Sequence, residues 1–243
     1  MKPLTLAKSR LGSFLKPKER EGLVLAMLWD VLDAIAKSEA VDQCLVISPD
    51  STVLEAANKR GFSGLMEEHQ GNLNGALTQA TDWCISHFAK ALLILPGDLP
   101  FLVGEDVKRL FSYLSGERTV VISPCRRGEG TNALLRSPPN VIPTLFGKGS
   151  FEAHLRRARE LGIRVYIASS EGLSFDIDTV GDLQELFARK DKCQAHTRSF
   201  LERMSRFDPA SGPSSGPSSG PAATPSRPSS PSSSPSSSHA FPP

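Results

Sequence analysis

Apolar residues recur along this chain with two different periods, and their alternation outlines a fold. Pro17 suits the first turn of a helix, and Val24, Leu28, Val31, Leu32 and Ile35 follow at helical spacing, which predicts a long amphipathic helix. Short apolar runs from Cys44 to Ile47, Ala91 to Leu95, Thr119 to Ile122 and Arg164 to Ile167 are brief and flanked by turn residues, as buried strands are. Helical patterns fill the intervals near Ser51 to Arg60, Asn72 to His87, Glu105 to Leu114, Phe151 to Leu161 and Thr179 to Arg189. Strands alternating with helices predict an α/β fold of three layers, a mostly parallel sheet with helices on both faces. Ligands of such sheets gather beyond the carboxyl ends of the strands, so chemistry is to be sought in those loops.

The pattern stops before the chain does. From 208 to 243 the sequence is almost entirely Ser, Pro, Gly and Ala and holds 10 of the 19 prolines. Such a segment buries too little apolar surface to offset its ordering entropy, so a disordered tail is expected after a single domain spanning 1–207. Lys and Arg number 28 against 26 Asp and Glu, and a net charge of +2 makes no electrostatic case for nucleic acid or an anionic membrane as partner. Cys44, Cys84, Cys125 and Cys193 are widely spaced without a C-x-x-C pair, which argues against a zinc site and a disulfide scaffold. The run from Ala91 to Leu95 is too short to cross a bilayer and no signal-like stretch follows the amino terminus. A cytoplasmic protein with reduced thiols is expected. A homodimer is compatible with the sequence, which does not specify it.

Two acidic elements lie where a ligand would be met. The strand from Ala91 to Leu95 runs into Pro96-Gly97-Asp98-Leu99-Pro100, which places a carboxylate just past a strand end. In Phe175-Asp176-Ile177-Asp178-Thr179, the period of two in an extended segment sends Asp176 and Asp178 to one side. Two oxygen donors on one side suit a hard cation such as Mg2+. Taken singly, Asp98 is equally explained as a turn former, and Asp178 as the start of a helix.

Anion-friendly segments accompany them. Lys8-Ser9-Arg10 offers cations that could hold a triphosphate, although a solvated basic turn explains the spacing as well and no P-loop pattern is present. Arg126-Arg127-Gly128-Glu129-Gly130-Thr131-Asn132 combines two cations, two glycines and a hydroxyl. Phe146-Gly147-Lys148-Gly149-Ser150 opens the helix near Phe151, where backbone amides can meet an anion and Ser150 can serve as cap. The histidines His69, His87, His154, His196 and His239 form no evident catalytic set.

Assembled in order, these phrases resemble the guanylyltransferases of deazaflavin coenzyme F-420 biosynthesis, which act on 2-phospho-L-lactate, phosphoenolpyruvate or 3-phosphoglycerate. The matching phrases are Lys2-Pro3-Leu4 with Ala7 to Leu11, Ser48-Pro49-Asp50, Leu73 to Leu77, Leu95 to Pro100, Gly130 to Leu134, Phe146 to Phe151 and Phe175 to Thr179, over about residues 2 to 187. The resemblance implies a nucleotide-diphospho-sugar transferase-like, Rossmann-like fold similar to that of the molybdenum-cofactor guanylyltransferases. It implies that Lys8 and Arg10 grip phosphates, that Asn74 and Ala76 face the GTP nucleotide, that Asp98, Asp176 and Asp178 bind Mg2+, and that Thr131, Gly147 and Ser150 hold a small phosphorylated carboxylic acid. Members of that family carry a short hydrophobic strand ahead of the Lys-Pro phrase, so the first strand is expected to be missing here, through a truncated start or replacement by another segment. A nucleotidyltransferase for the molybdenum cofactor or a sugar phosphate, and an inactive nucleotide-binding module, are the rival readings.

Overall fold

The computed structural model describes residues 4, 7–68 and 71–204; the expected Ser/Pro tail lies outside the described residues. Among the described residues there are six strands and eight α-helices. The strands are β1 (Leu45–Ser48), β2 (Ser63–Met66), β3 (Leu92–Ile94), β4 (Thr119–Pro124), β5 (Thr131–Ser137) and β6 (Arg164–Ile167). The helices are α1 (Pro17–Ser38), α2 (Ser51–Lys59), α3 (Leu73–Ser86), α4 (Gly104–Phe111), α5 (Ser150–Glu160), α6 (Glu171–Ser174), α7 (Val180–Ala188) and α8 (Ala195–Arg203).

The central strands show why helices cover both faces. Along β4 and β5, Val121, Ala133 and Leu135 point to a cluster completed by Val31 and Ala34 of α1 and Val107 and Leu110 of α4. The alternate residues Val120, Ile122 and Leu134 meet Leu155 and Ala158 of α5. A strand whose two faces are both apolar must be covered twice, and the three layers follow. Helix α1 starts at Pro17, with the Glu19 carboxylate accepting from the Lys16 backbone N–H at 2.8 Å. Its 22 residues give a helix roughly 33 Å long at 1.5 Å per residue, enough to back most of the sheet.

Two strands, the four-residue α6 and helix α8 exceed the sequence expectation. Ser63–Met66 and Ala195–Arg203 have little apolar periodicity, because β2 is a mostly exposed edge strand and α8 buries only Thr197 and Leu201. Strand β5 hid inside a stretch read as a Gly-rich loop. It pairs antiparallel with both β3 and β4, whereas β1–β2 and β4–β6 are parallel. The antiparallel insertion follows from chain length: residues 125–130 link β4 to β5, too short for the dozen or more residues of a parallel crossover.

The strands form two sheets, β1-β2 and β3-β5-β4-β6, so β1 and β3 each keep one edge without a strand neighbour among the described residues. Between them lies a cavity of about 540 Å³ lined by both strands, by Leu28 and Leu32 of α1 and by Trp83 and Cys84 of α3. Two strand edges unpaired among the described residues on either side of an apolar slot can accept a further strand. Leu4 packs in the cluster with Leu28, Leu32 and Val46, with its N–H donating to Asp50 Oδ2 at 3.3 Å just beyond β1. A five-residue extension rich in Val and Ile fused ahead of Met1 is therefore expected to raise Tm by about 5 °C through apolar burial. A Ser/Gly extension of equal length is expected to leave Tm unchanged; equal melting of the two by circular dichroism would refute the strand-accepting reading of the slot.

Candidate active site

Asp98 follows β3 in the turn that begins at Pro96, at the carboxyl end of the strand. The ammonium of Lys8 donates to Asp98 Oδ2 and, at 3.1 Å, to Asp178 Oδ1, which ties the amino-terminal segment to both acidic elements. Lys8 adopts a left-handed backbone, φ 51 and ψ 38, uncommon for a residue with a side chain and stored most often at functional sites. Burial opposes the Lys8 charge, but Asp98 and Asp178 outweigh it and hold its pKa above the ordinary lysine value.

Asp176 completes the acidic group. Its Oδ1 accepts from Asn132 Nδ2 at 3.2 Å, and burial, joined by the charges of Asp98 and Asp178, pushes its pKa up. Asp98 Oδ1 is buried and has no hydrogen-bond partner. An orphaned carboxylate oxygen beside two further carboxylates is a donor set that gains from a hard cation. Among the described residues no three acidic, histidine or cysteine side chains converge as a ready-made metal cage. Mg2+ does not require one, since one or two carboxylates, water and substrate phosphates complete its octahedron. Asp98, Asp176 and Asp178 are the residues that would contribute to holding it.

Arg10 is exposed on the short 3-10 turn Ser9–Leu11 and makes no ion pair among the described residues. It lies beside Lys8 in sequence and does not join the lysine's carboxylate contacts.

The second cluster surrounds the 146–150 loop. Asn74, near the start of α3, clasps this loop by both ends of its amide: Nδ2 donates to the Phe146 carbonyl at 2.9 Å and Oδ1 accepts from the Phe146 N–H at 2.8 Å. Its side chain is thus spent on the backbone next to Gly147. Ala76 is fully buried, and its N–H is bonded to the Asn72 carbonyl at 3.0 Å, so it shapes the wall of α3 and presents no polar group.

Gly147 has φ 134, and a Cβ built there would meet nothing within 4 Å. The residue is needed for backbone freedom, beside open space. Gly149, at φ 71, is the N-cap of α5, which makes Ser150 the first helical residue instead of the cap. The N–H groups of Ser150 and Phe151 are already bonded to the carbonyls of Gly147 and Glu129, at 3.2 Å each. What remains is the Ser150 hydroxyl, 3.2 Å from Thr131 Oγ1 at the start of β5.

The cations of the Arg126-Arg127 phrase serve a different end. Asp182 accepts from Arg126 at 2.7 Å and from Arg127 at 2.9 Å, and it closes a capping box with Thr179 on α7. It also accepts from the backbone N–H of Asp178 at 3.1 Å and of Thr179 at 2.7 Å, which fixes the segment that carries Asp176 and Asp178. Sequence reasoning missed Asp182, although a threonine followed three residues later by an acid is a capping-box signal. It also missed Asn132 as the holder of Asp176, and His154, considered below.

Comparison with known proteins places this geometry. The family model described as guanylyl transferase CofC like matches residues 1–216. The chain belongs to that guanylyltransferase family. It is 42% identical over 200 residues to the 2-phospho-L-lactate guanylyltransferase of Methanothermobacter thermautotrophicus, covering 82% of this chain and 86% of the relative. It is 40% identical over 183 residues to the phosphoenolpyruvate guanylyltransferase of Sphaerobacter thermophilus, covering 75% and 87%. In fold it is similar to a crystal structure from Desulfovibrio desulfuricans described as a nucleotide-diphospho-sugar transferase, with TM-score 0.68 and 17% identity over 82% of this chain and 89% of that one. A cytidylyltransferase from Leptospira borgpetersenii gives TM-score 0.52 at 14% identity, over 76% and 84%. The α/β nucleotidyltransferase fold of the CofC-like family is thus the fold of this chain. No helix among the described residues is long and apolar enough to cross a membrane.

Asp182 provides a test of the scaffold. Although burial opposes ionisation, hydrogen bonds from Thr179 and the backbone, with Arg127 beside it, hold its carboxyl below the usual aspartate range. A depressed folded-state pKa contributes stability that is full above the unfolded value near 4 and is lost as pH falls through the folded value. Asp182→Ala is expected to cost about 2 kcal/mol at pH 7, the sum of a lost cap and lost charge-assisted bonds. The gap from wild type should narrow below about pH 4, measured by urea unfolding.

Proposed function

We propose that this guanylyltransferase transfers GMP from GTP to the phosphate of a small 2-phospho-acid, phosphoenolpyruvate or 2-phospho-L-lactate, and releases pyrophosphate, a step of coenzyme F-420 biosynthesis. The carrying observation is the convergence of Lys8, Asp98 and Asp178 at a strand end, with Asp176 electrostatically coupled to the two acids, in a chain 40% or more identical to relatives bearing those two substrate names. A phosphate oxygen of the acceptor attacks the α-phosphorus of GTP, a new P–O bond forms, and the bond from the α-phosphorus to the oxygen bridging to the β-phosphate breaks. The electron pair of that bond leaves with pyrophosphate.

A phosphate monoester has a second pKa near 6 and is a ready anionic nucleophile at pH 7, so no general base is required. The burden falls on alignment and on suppressing repulsion between anions. Bound Mg2+ supplies positive charge that offsets this repulsion. Lys8 would follow the charge, exchanging its carboxylate contacts for the departing pyrophosphate, with Arg10 free to join it from the neighbouring turn. Asn74 and Ala76 act as the wall near the nucleotide, and Thr131, Gly147 and Ser150 receive the phosphoacid. A cytoplasmic location suits a reaction that draws on GTP.

Asp98→Asn and Asp178→Asn are each expected to lower turnover by about a hundredfold or more, read as pyrophosphate release at saturating Mg2+. Near-normal turnover in both variants would remove these residues from the metal site. Incubation with GTP, Mg2+ and each of phosphoenolpyruvate, 2-phospho-L-lactate, 3-phosphoglycerate and glucose 1-phosphate, followed by mass analysis, is expected to give a guanylylated product with one of the first two. A product formed only with the sugar phosphate would overturn the acceptor class.

A further inference from the structure

The most enclosed histidine among the described residues is bonded to one hydroxyl of the second cluster and through it to the other. His154 lies on α5 with no exposed surface, its ring edge-on to Phe146 at 5.0 Å between centroids. Its Nε2 is 2.8 Å from the backbone N–H of Leu145, and its Nδ1 is 3.1 Å from Thr131 Oγ1. A backbone N–H can only donate, so Nε2 must carry the lone pair. The proton of the neutral ring then sits on Nδ1, where Thr131 Oγ1 can only accept it.

This fixes the direction of the His154–Thr131 bond and leaves only the sense of the Thr131–Ser150 contact free. Thr131 Oγ1 receives Nδ1–H on one side and stands 3.2 Å from the Ser150 hydroxyl on another. If Ser150 donates to Thr131, the Thr131 proton is left over; if Thr131 donates to Ser150, the Ser150 proton is left over. In either arrangement one hydroxyl proton has no partner within the cluster and is available to an incoming acceptor.

We propose that His154 is a positioning residue that sets the hydrogen-bond polarity of Thr131 and Ser150, so that this pair donates to the anionic phosphoacid beside Gly147. The proposal rests on the assignment of these residues to the acceptor. A ring protonated on both nitrogens would expel the Leu145 amide and break the network; burial first, then the nearby Arg136 charge, push the His154 pKa down to about 4 and keep it neutral. Arg136 is itself buried between the Thr81 hydroxyl at 2.7 Å and the Ile142 carbonyl at 2.8 Å, so its charge is a fixture of the site. The signal in sequence was a histidine four residues after Ser150, one helical turn on.

Nitrogen-detected NMR of the ligand-free protein tests the wiring without activity. The expected result is a His154 ring protonated on Nδ1 and unchanged from pH 5.5 to 8; an Nε2-protonated ring, or one titrating in that range, overturns the proposal whatever the substrate. Kinetics then test its purpose. His154→Leu is expected to raise KM for the phosphoacid about tenfold or more while KM for GTP stays within about twofold. His154→Asn, whose amide nitrogen stands in for Nδ1, should recover most of the acceptor affinity. His154→Leu combined with Thr131→Val should be no worse than Thr131→Val alone, because one path is broken twice. Equal rises in both KM values, or additive losses, would reduce His154 to packing. If the NMR result stands and wild type guanylylates no phosphoacid, the acceptor assignment fails and with it the polarity's stated purpose, which overturns the proposal.

Discussion

Asp98 and Asp178 meet at one ammonium from two separate parts of the chain, with Asp176 coupled to both by charge, and holding carboxylates near one another in a half-buried site is unfavourable unless a cation answers them. In this protein the answering cation is Lys8, held in a left-handed backbone that a lysine does not favour. Much of the surrounding structure can be understood as holding the carboxylates close enough to need it. Asn132 holds Asp176, and Asp182 grips the backbone of Asp178 and Thr179 from behind. Arg126 and Arg127 neutralise Asp182 in turn. Arg126 and Arg127 are consequently spent on keeping an acid in place, as Lys8 is on Asp98 and Asp178.

The second cluster is assembled by a different kind of force. Neutral hydrogen bonds join the loop around Phe146 to α3 through Asn74 and to α5 through His154, which is bonded in turn to Thr131 of β5. A Cβ at Gly147 would meet nothing within 4 Å. A charged residue in that role would compete with the carboxylates a few residues away in the same sheet, since Thr131 starts the strand whose next residue, Asn132, holds Asp176. One strand thus carries a hydroxyl for the second cluster and an amide for the acidic cluster on consecutive residues, at the point where the β4–β5 register shifts by a residue and the strict alternation of side chains is broken.

Most strands and helices were legible because burial imposes period on the sequence: the run at Thr119 has to be apolar on both faces, and α1 has to be apolar on one. Strand β5 was not legible, since Gly130 and Asn132 gave its start the look of a loop and its direction depends on a short connection. Asp98 was singled out by its place after a strand end, and Asp176 and Asp178 by the period of two in an extended segment, which in the structure follows α6. Asn74 and Ala76 came through resemblance, and the roles visible in the structure are indirect, a clasp on Phe146 and a packed wall. Arg126 and Arg127 illustrate the reverse: two cations beside glycines suggested an anion site, but their partners are Asp182 and Glu185, far along the chain. No local pattern reports a partner more than fifty residues away.

The slot between β1 and β3 bears on catalysis as well as on stability. Strand β3 is three residues long, only partly buried, and paired on one side, yet it delivers Asp98. Leu95 and Gly97, on either side of Pro96, are themselves part of the slot lining, so the turn that presents the carboxylate borders the cavity directly. With one ladder partner, the strand's position is set by β5 below and by the Lys8 ion pair above. Lys8 therefore takes part in placing Asp98: its ion pairs join the turn after a strand with one ladder partner among the described residues to the segment that carries Asp178, so the packing of β3 and the charge balance of the two carboxylates depend on each other.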